Sequence, residues 1–424
     1  MKIVITSDTH FGDPTSQLAT LDGSGKPQLG SRYPKFKEIA GKDNDYLVLL
    51  GDIIDVAIQN YKDAFDVFKL FLEQIYQDGI AKRILYIPGN HDYDIWHAVE
   101  YQANIINPII HRPGKSTRLF RMSVPAVLDD SPSPRYELFL GGVTRGPNPY
   151  EPYGDLFLDF LADNKFRFSI GFPNLYLVTR QNETILLTHG QYFQAFWSFL
   201  SDWAPKIFQD DLKVALPLII KSIVQLNFPL SQLSSSGVGQ AGPLTDVIRQ
   251  IQEDFTNQNP DNMERYLDNL VREICIHVLK LKWHNWVKKI ALCISKKLIL
   301  REIQETPHPS PKEDKTWEYK PETLQKISDY YRSSCQEIEN LNTESHMNIP
   351  NRPTMLIFGH THRPIPLQGP KHPILQPFLG NPFQVPVFNT GGWLEKVVEG
   401  KKIFCGIELF IYETGYPLRS VTIS

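Results

Sequence analysis

The chain has 424 residues, room for one large core or two smaller ones. With 42% hydrophobic and 21% charged residues its composition is that of a folded globular protein, not a disordered or fibrous one. A formal net charge of -3 gives no global attraction for nucleic acid, so DNA is not an expected partner, and four widely spaced cysteines without a Cys-x-x-Cys argue against a disulfide framework or thiolate zinc site.

Lys2 to Ser7 is an apolar run that ends in Asp8-Thr-His10, and Asp8 interrupts it too early for a signal-peptide core. A polar loop rich in Gly, Pro, Ser and Thr follows to about Tyr33, and a short helix leads on to about Ala40. Tyr46 to Leu50 is a nearly continuous apolar run, the pattern of a strand buried on both faces, and it stops at Gly51-Asp52. From Lys62 to Gln77 the apolar positions Phe65, Phe68, Phe71, Leu72 and Ile75 have amphipathic-helix spacing. Arg83 to Ile87 is the third run and ends in Pro88-Gly89-Asn90-His91-Asp92. Strands alternating with helices predict the start of an α/β layered fold.

Further strands are predicted at Leu138–Val143 and Leu175–Thr179, and a turn at Gln181-Asn-Glu183 leads into Thr184–Thr188, which ends in His189-Gly190. Met355–Phe358 ends in Gly359-His360-Thr361-His362, and Pro386–Phe388 ends in Asn389-Thr-Gly-Gly392. The last strands are Ile403–Tyr412 and Arg419–Ile423. Between His189 and Met355 the composition changes. Phe193–Trp203 is aromatic-rich, Leu212–Phe228 apolar, Ser231–Gly242 a Ser/Gly-rich loop, Asp261–Gln304 a long helical pattern, and Thr306–Lys315 has exposed-loop composition. The most membrane-like segment, Val214–Ile220, is short and contains Pro217. The expected division is a core of 1–190 and 352–424 and a mostly helical insertion or cap of 191–351, in a cytoplasmic protein with peripheral membrane contact open to it.

Asp8, His10, Asp52, Asn90, His189, His360 and His362 all lie at the ends of apolar runs. If those runs are neighbours in one sheet, their ends converge on the rim where α/β sheets bind ligands. Oxygen donors mixed with imidazoles suit Mn, Fe, Zn or Ni better than an all-oxygen calcium or magnesium cage. Seven groups exceed one ion's needs and suit two ions sharing a bridging carboxylate. Singly, each motif also reads as an ordinary turn or hydrogen-bonded pair; their conjunction, each time after an apolar run, carries the chemistry.

The series Asp8-Thr-His10, Gly51-Asp52-Ile-Ile-Asp55, Gly89-Asn90-His91-Asp92, His189 and Gly359-His360-Thr-His362 resembles the calcineurin-like metallophosphoesterase superfamily. The resemblance covers roughly 1–190 and 352–424, and leaves the insertion unmatched. It implies a two-sheet β-sandwich flanked by helices. It also implies one divalent ion held by Asp8, His10, Asp52 and His362, and a second by Asp52, Asn90, His189 and His360, with Mn or Fe ahead of Zn or Ni. Such a pair makes hydroxide available to attack phosphorus. His91 has no ion to bind in this scheme and is the candidate general acid, with Asp92 beside it to orient and charge the imidazole. Asp55 and Asn389 are expected as supporting groups.

The expected substrate is a phosphodiester or pyrophosphate, nucleotide- or lipid-linked, because the insertion could hold a leaving group. A phosphomonoesterase and a non-catalytic metal-binding scaffold are the alternatives. Protein serine/threonine phosphatases typically continue Gly-Asp-x-x-Asp with Arg-Gly and carry Gly-Asn-His-Glu, whereas Val56-Ala57 and Asp92 stand here. Lipid A precursor pyrophosphohydrolases are similar in the core and also use a helical cap, but have Arg where this chain has His91. Tyr192, Phe193, Phe196 and Trp197 follow His189 closely enough to roof the site or to form the insertion's own core. Residues 279–301 are Lys-rich without an acidic residue, a pattern for an anionic membrane or substrate, or for a solvated face. No obligate protein partner is indicated.

Overall fold

The computed structural model of the chain describes residues 1–111, 117–142, 165–207, 218–234, 265, 316–378, 381–398 and 401–424. Residues 1–240 and 318–424 form one compact unit and 241–317 another. The basic segment 279–301, the loop at 306–315 and nearly all of the 261–304 helical pattern lie outside the described residues. No helix among the described residues is long and apolar enough to cross a membrane.

Among the described residues of the first unit the strands form a mixed 14-stranded sheet with helices packed on it. In one limb Lys2–Thr6, Asn44–Leu50, Ala81–Ile87 and Arg167–Ile170 run parallel, each paired with the next. In the other limb Thr184–Thr188, Met355–Phe358 and Val385–Val398 run parallel. The limbs join where Val385–Val398 pairs antiparallel with Lys401–Glu413, which pairs antiparallel with Lys2–Thr6. Two reversals restore the direction, so both parallel sets end on the same edge of the sheet. That edge is where Asp8, Asp52, Asn90, His189 and His360 follow their strands, so the topology itself gathers them.

Local sequence explains why these elements form. Tyr46–Leu50 is buried at every position, in line with its unbroken apolar run. The helix Tyr61–Gln77 starts at Asn60, whose side chain accepts a hydrogen bond from the Asp63 amide, and it buries Ala64, Val67, Phe68, Phe71, Leu72 and Ile75 at helical spacing. Helix Pro321–Ser345 opens with proline in its first turn and buries Ile327, Tyr330, Tyr331, Ile338 and Leu341. It is tied to the sheet by a buried polar network. Tyr330 donates to Asn174 Oδ1 at 2.7 Å, and Glu337 accepts from Tyr176 at 2.7 Å and from Asn174 Nδ2 at 3.0 Å. Burial pushes Glu337 up to about 7 against the pull of these donors.

Several elements depart from the pattern reading. The strand expected to stop near Asn389 runs from Val385 to Val398. The Gly391-Gly392 pair marks a bulge, not an end: its pairing with Lys401–Glu413 shifts register between Gly392 and Glu395, and a Cβ on Gly391 would strike the Gly406 carbonyl. The polar loop before Tyr33 contains a small hairpin, Ala19–Leu21 with Pro27–Leu29. Helix Ile220–Ser234 continues through the first residues of the expected Ser/Gly-rich loop, carrying Pro229 inside it.

Candidate metal centre

Five of the seven predicted ligands have left-handed backbone. Asp8, His10, Asp52, His360 and His362 have φ of 49°, 47°, 50°, 70° and 54°, a region that non-glycine residues rarely occupy. Such positions cost about 1–3 kcal/mol each and persist only when their surroundings over-determine them. Here the surroundings are cross-loop backbone bonds. The Asp8 amide donates to Gly51 O at 2.9 Å, His10 to Asp52 O at 2.9 Å, Gly359 to His189 O at 2.9 Å and Trp393 to Asp8 O at 3.0 Å. Two motif glycines leave room for the ligands, since a Cβ at Gly89 would collide with the Asp52 carboxylate and one at Gly359 with that of Asp8.

The structure brings the predicted residues into two adjoining triads, Asp8/His10/His362 and Asp52/His189/His360, with the ligand atoms of each triad within 4.8 Å of one another. All six are buried. In the first, His10 Nε2 lies 3.0 Å from His362 Nε2, and His362 Nε2 lies 3.2 Å from Asp8 Oδ1. In the second, His189 Nε2 is 3.2 Å from both Asp52 Oδ2 and Asn90 Oδ1. The same Asp52 oxygen is 3.8 Å from His10 Nε2, so one carboxylate oxygen faces both triads. Its other oxygen accepts from the His91 amide at 2.8 Å.

The outer nitrogens of the histidines set their tautomers. His10 Nδ1 donates to Asp55 Oδ2 at 2.6 Å and His189 Nδ1 to the Leu50 carbonyl at 3.2 Å, which turns the Nε2 lone pair of each inward. His360 instead uses Nε2, which donates to Gln194 Oε1 at 2.8 Å, leaving the lone pair on Nδ1. These donors fit divalent cations: anionic oxygens and imidazole lone pairs converge in a buried site.

Electrostatics show how much positive charge the site calls for. Burial lifts Asp8 to about 6, and the facing Asp52 adds to this against the pull of His189 and His10. Burial alone would raise Asp52 as well, but His189 and His91 hold it well below the usual carboxylate range. Burial would lower His189, yet Asp52 and Asp8 push it up to about 9. In the absence of metal, protons on imidazole thus do part of the neutralising.

His91 lies at the mouth, with 23% of its side chain exposed, and packs edge-on to His10 with ring centroids 4.8 Å apart. Asp92, expected from its place in the chain to orient His91, does not do so. Asp92 turns back into the fold, where its carboxylate accepts from the Gly89 amide at 2.5 Å, the Ile53 amide at 2.8 Å and the Tyr86 hydroxyl. Asp55 is the carboxylate on His91, accepting from its Nδ1 at 2.9 Å through Oδ1 while Oδ2 holds His10. Burial would raise Asp55, but His91 and His10 hold it far below the usual range. Asn389 supports the Gly359–Arg363 loop, donating to Gly359 O at 2.7 Å and to Thr361 Oγ1 at 3.1 Å.

Of the aromatic residues expected as a roof, Phe193 packs on Tyr330 and Phe358, Tyr192 stacks on Tyr330, and Trp197 is buried, whereas Phe196 is 41% exposed. From that segment it is Gln194 that reaches the site. A lone Gln in an aromatic stretch carries no motif, so its only signal in the sequence is its closeness to His189.

The sequence model of the family described as calcineurin-like phosphoesterase matches residues 1–221, which include Asp8, His10, Asp52, Asn90, His91 and His189. His360 and His362 lie beyond the matched stretch and join the others through the sheet. No curated protein matches the chain.

Proposed function

The chain belongs to the calcineurin-like phosphoesterase family, and on that premise we propose that it hydrolyses phosphodiester or pyrophosphate bonds at two divalent ions. The family itself makes it a metal-dependent phosphoric ester hydrolase. The observation that carries the dinuclear reading is the Asp52 oxygen that faces both His189, at 3.2 Å, and His10, at 3.8 Å. We assign Asp8, His10, Asp52 and His362 to one ion and Asp52, Asn90, His189 and His360 to the other. Mixed carboxylate, amide and imidazole donors favour Mn or Fe, with Zn or Ni next.

Bound there, two such ions would activate water near neutral pH and offset charge on the phosphoryl oxygens. The chain's own residues supply the rest. Asp55, held anionic, accepts a hydrogen bond from His91 Nδ1, and an imidazolium so held presents its Nε2 proton to the departing oxygen. Among the histidines of the site His91 is the one with appreciable exposure, as a group that must meet a leaving group requires. Asp92 braces the Gly51 and Gly89 loops that hold Asp52 and Asn90.

In this reading 1–190 and 352–424 are the catalytic core, the sheet folds into two layers about the Val385–Val398 and Lys401–Glu413 pair, and 191–351 is a cap that accommodates the leaving group. A nucleotide- or lipid-linked diester suits such a cap better than a monoester. The test compares bis-p-nitrophenyl phosphate with p-nitrophenyl phosphate, with added Mn, in wild type and Asp52→Asn. Faster cleavage of the diester, abolished in Asp52→Asn, is expected. A fully metal-loaded wild type that cleaves neither ester overturns the reading in favour of a binding scaffold.

A further inference from the structure

The three ligand histidines with identified outer partners differ in what holds them. His10 and His189 are fixed from within the sheet edge, by Asp55 and by the Leu50 carbonyl. His360 is fixed by Gln194, which lies just past the turn Gln191–Phe193 at the start of the insertion. We propose that Gln194 is a positioning residue for the second metal ion: it holds His360 in the tautomer that offers Nδ1, and it ties the turn Gln191–Phe193 and helix Ala195–Ile207 to the metal centre. This rests on the dinuclear reading above.

Both ends of the bond are pinned. The Gln194 amide donates to Gln191 O at 3.0 Å, and its carbonyl accepts from the Trp197 and Ser198 amides at 3.1 and 3.2 Å, closing the turn and opening helix Ala195–Ile207. Its neighbour Phe193, 1% exposed, is wedged against Phe358, two residues before His360, with centroids 5.3 Å apart. An amide oxygen can only accept, so the His360 proton sits on Nε2 and the ring's lone pair faces the other way.

A second residue, Glu318, grips the same loop. Buried Glu318 accepts from Thr361 Oγ1 at 3.0 Å and from Arg363 through Nε at 3.0 Å and Nη2 at 2.8 Å. Gln194 and Glu318, 124 residues apart in the chain, therefore hold residues 360, 361 and 363 of one short loop. That loop carries φ of 70° and 54° at His360 and His362, a conformation that needs outside support. Of the two contacts, the one from Gln194 falls on His360 itself.

The experiment uses full-length protein as wild type, Gln194→Leu and Gln194→Glu. Calorimetric titration of Mn into metal-free protein counts the ions and their affinities, and long-range proton–nitrogen spectra of 15N-histidine-labelled, metal-free protein report which His360 nitrogen carries the proton. Wild type is expected to bind two ions with His360 protonated on Nε2. In Gln194→Leu one ion should bind about 10- to 100-fold more weakly, the other unchanged, and His360 should lose its tautomer preference. Gln194→Glu, which can only accept, should restore both. The proposal is overturned if Gln194→Leu matches wild type in both measurements, or if it weakens both ions alike and Gln194→Glu restores neither. Wild type binding fewer than two ions sinks the dinuclear reading and this proposal together. Wild type binding two ions without cleaving any ester sinks only the hydrolase reading, because the comparison among variants still decides the role of Gln194.

Discussion

Replacing Asp55 with Asn should cost the protein its first metal ion before it costs His91 its partner. Asp55 is 1% exposed and serves three donors: Oδ2 takes His10 Nδ1 at 2.6 Å, and Oδ1 takes His91 Nδ1 at 2.9 Å and the Ile58 amide at 3.1 Å. An asparagine has one acceptor oxygen and one donor amide to place in the same two positions. With its oxygen toward His91 and Ile58 it keeps two hydrogen bonds and opposes one donor; turned over, it keeps one and opposes two. The first arrangement wins, so the amide N–H group faces His10 Nδ1. His10 must then move its proton to Nε2, the nitrogen that faces Asp8, Asp52 and His362. Loss of such an outer partner weakens metal binding by about 10- to 100-fold, which is about 1.4–2.8 kcal/mol. Titration of Mn into metal-free Asp55→Asn should show one ion weakened by that factor and the other close to wild type. Wild-type affinity for both ions would refute the assignment of Asp55 as the group that sets the His10 tautomer.

His91→Ala should slow diesters with poor leaving groups by about 10²- to 10⁴-fold and activated aryl diesters much less. Equal slowing across a leaving-group series would remove His91 as the acid. Metal uptake should release protons. His189, raised to about 9 by Asp52 and Asp8 despite its burial, is protonated at pH 7 in the metal-free protein and must be neutral to bind an ion. Affinity should therefore rise with pH up to about 9, and the calorimetric heat at pH 7 should depend on the buffer's ionisation heat; a buffer-independent heat would contradict this. In the metal-free fold the sign is the reverse: the raised value stabilises below the unfolded value of about 6.5, and that contribution is lost as pH rises through about 9.

The strands that carry the ligands were legible because each combines a run of buried apolar residues with an abrupt polar stop. Tyr46–Leu50, Thr184–Thr188 and Met355–Phe358 show this plainly. What hid the rest was identifiable too. Gly391 and Gly392 read as a stop because in a string of letters a bulge and a turn use the same residue. The short edge strand Arg167–Ile170 follows no clear pattern, and the hairpin at Ala19–Leu29 packs on helix Tyr61–Gln77, a contact that its own short strands do not announce. Within the site, motif spacing pointed to the residues that face inward but not to what stands behind them. Asp92 follows His91 in sequence and so looked like its partner, yet a side chain's chain neighbour commonly points elsewhere. Asp55 reaches His91 across 36 residues, and Gln194 reaches His360 across 166, distances at which only the fold speaks.

The strained backbone at Asp8, His10, Asp52, His360 and His362 also says when this site is built. Five left-handed positions at about 1–3 kcal/mol each amount to a burden comparable with the whole stability of a typical domain, about 5–15 kcal/mol. Metal binding need not supply that stabilisation, because the bonds that hold these residues are made by the chain. Asp8 and His10 donate their amides to Gly51 and Asp52, the His360 amide donates to the Asp8 carboxylate at 3.0 Å, and Trp393 closes on the Asp8 carbonyl. Each strand end is thereby anchored to the next around the rim. The six residues of the two triads are preorganised by the sheet, and Gln194 and Glu318 add support at one point on this rim, the loop from Gly359 to Arg363. Substitutions at Gln194 and Glu318 should therefore act on the site itself, through the loop that carries His360 and His362.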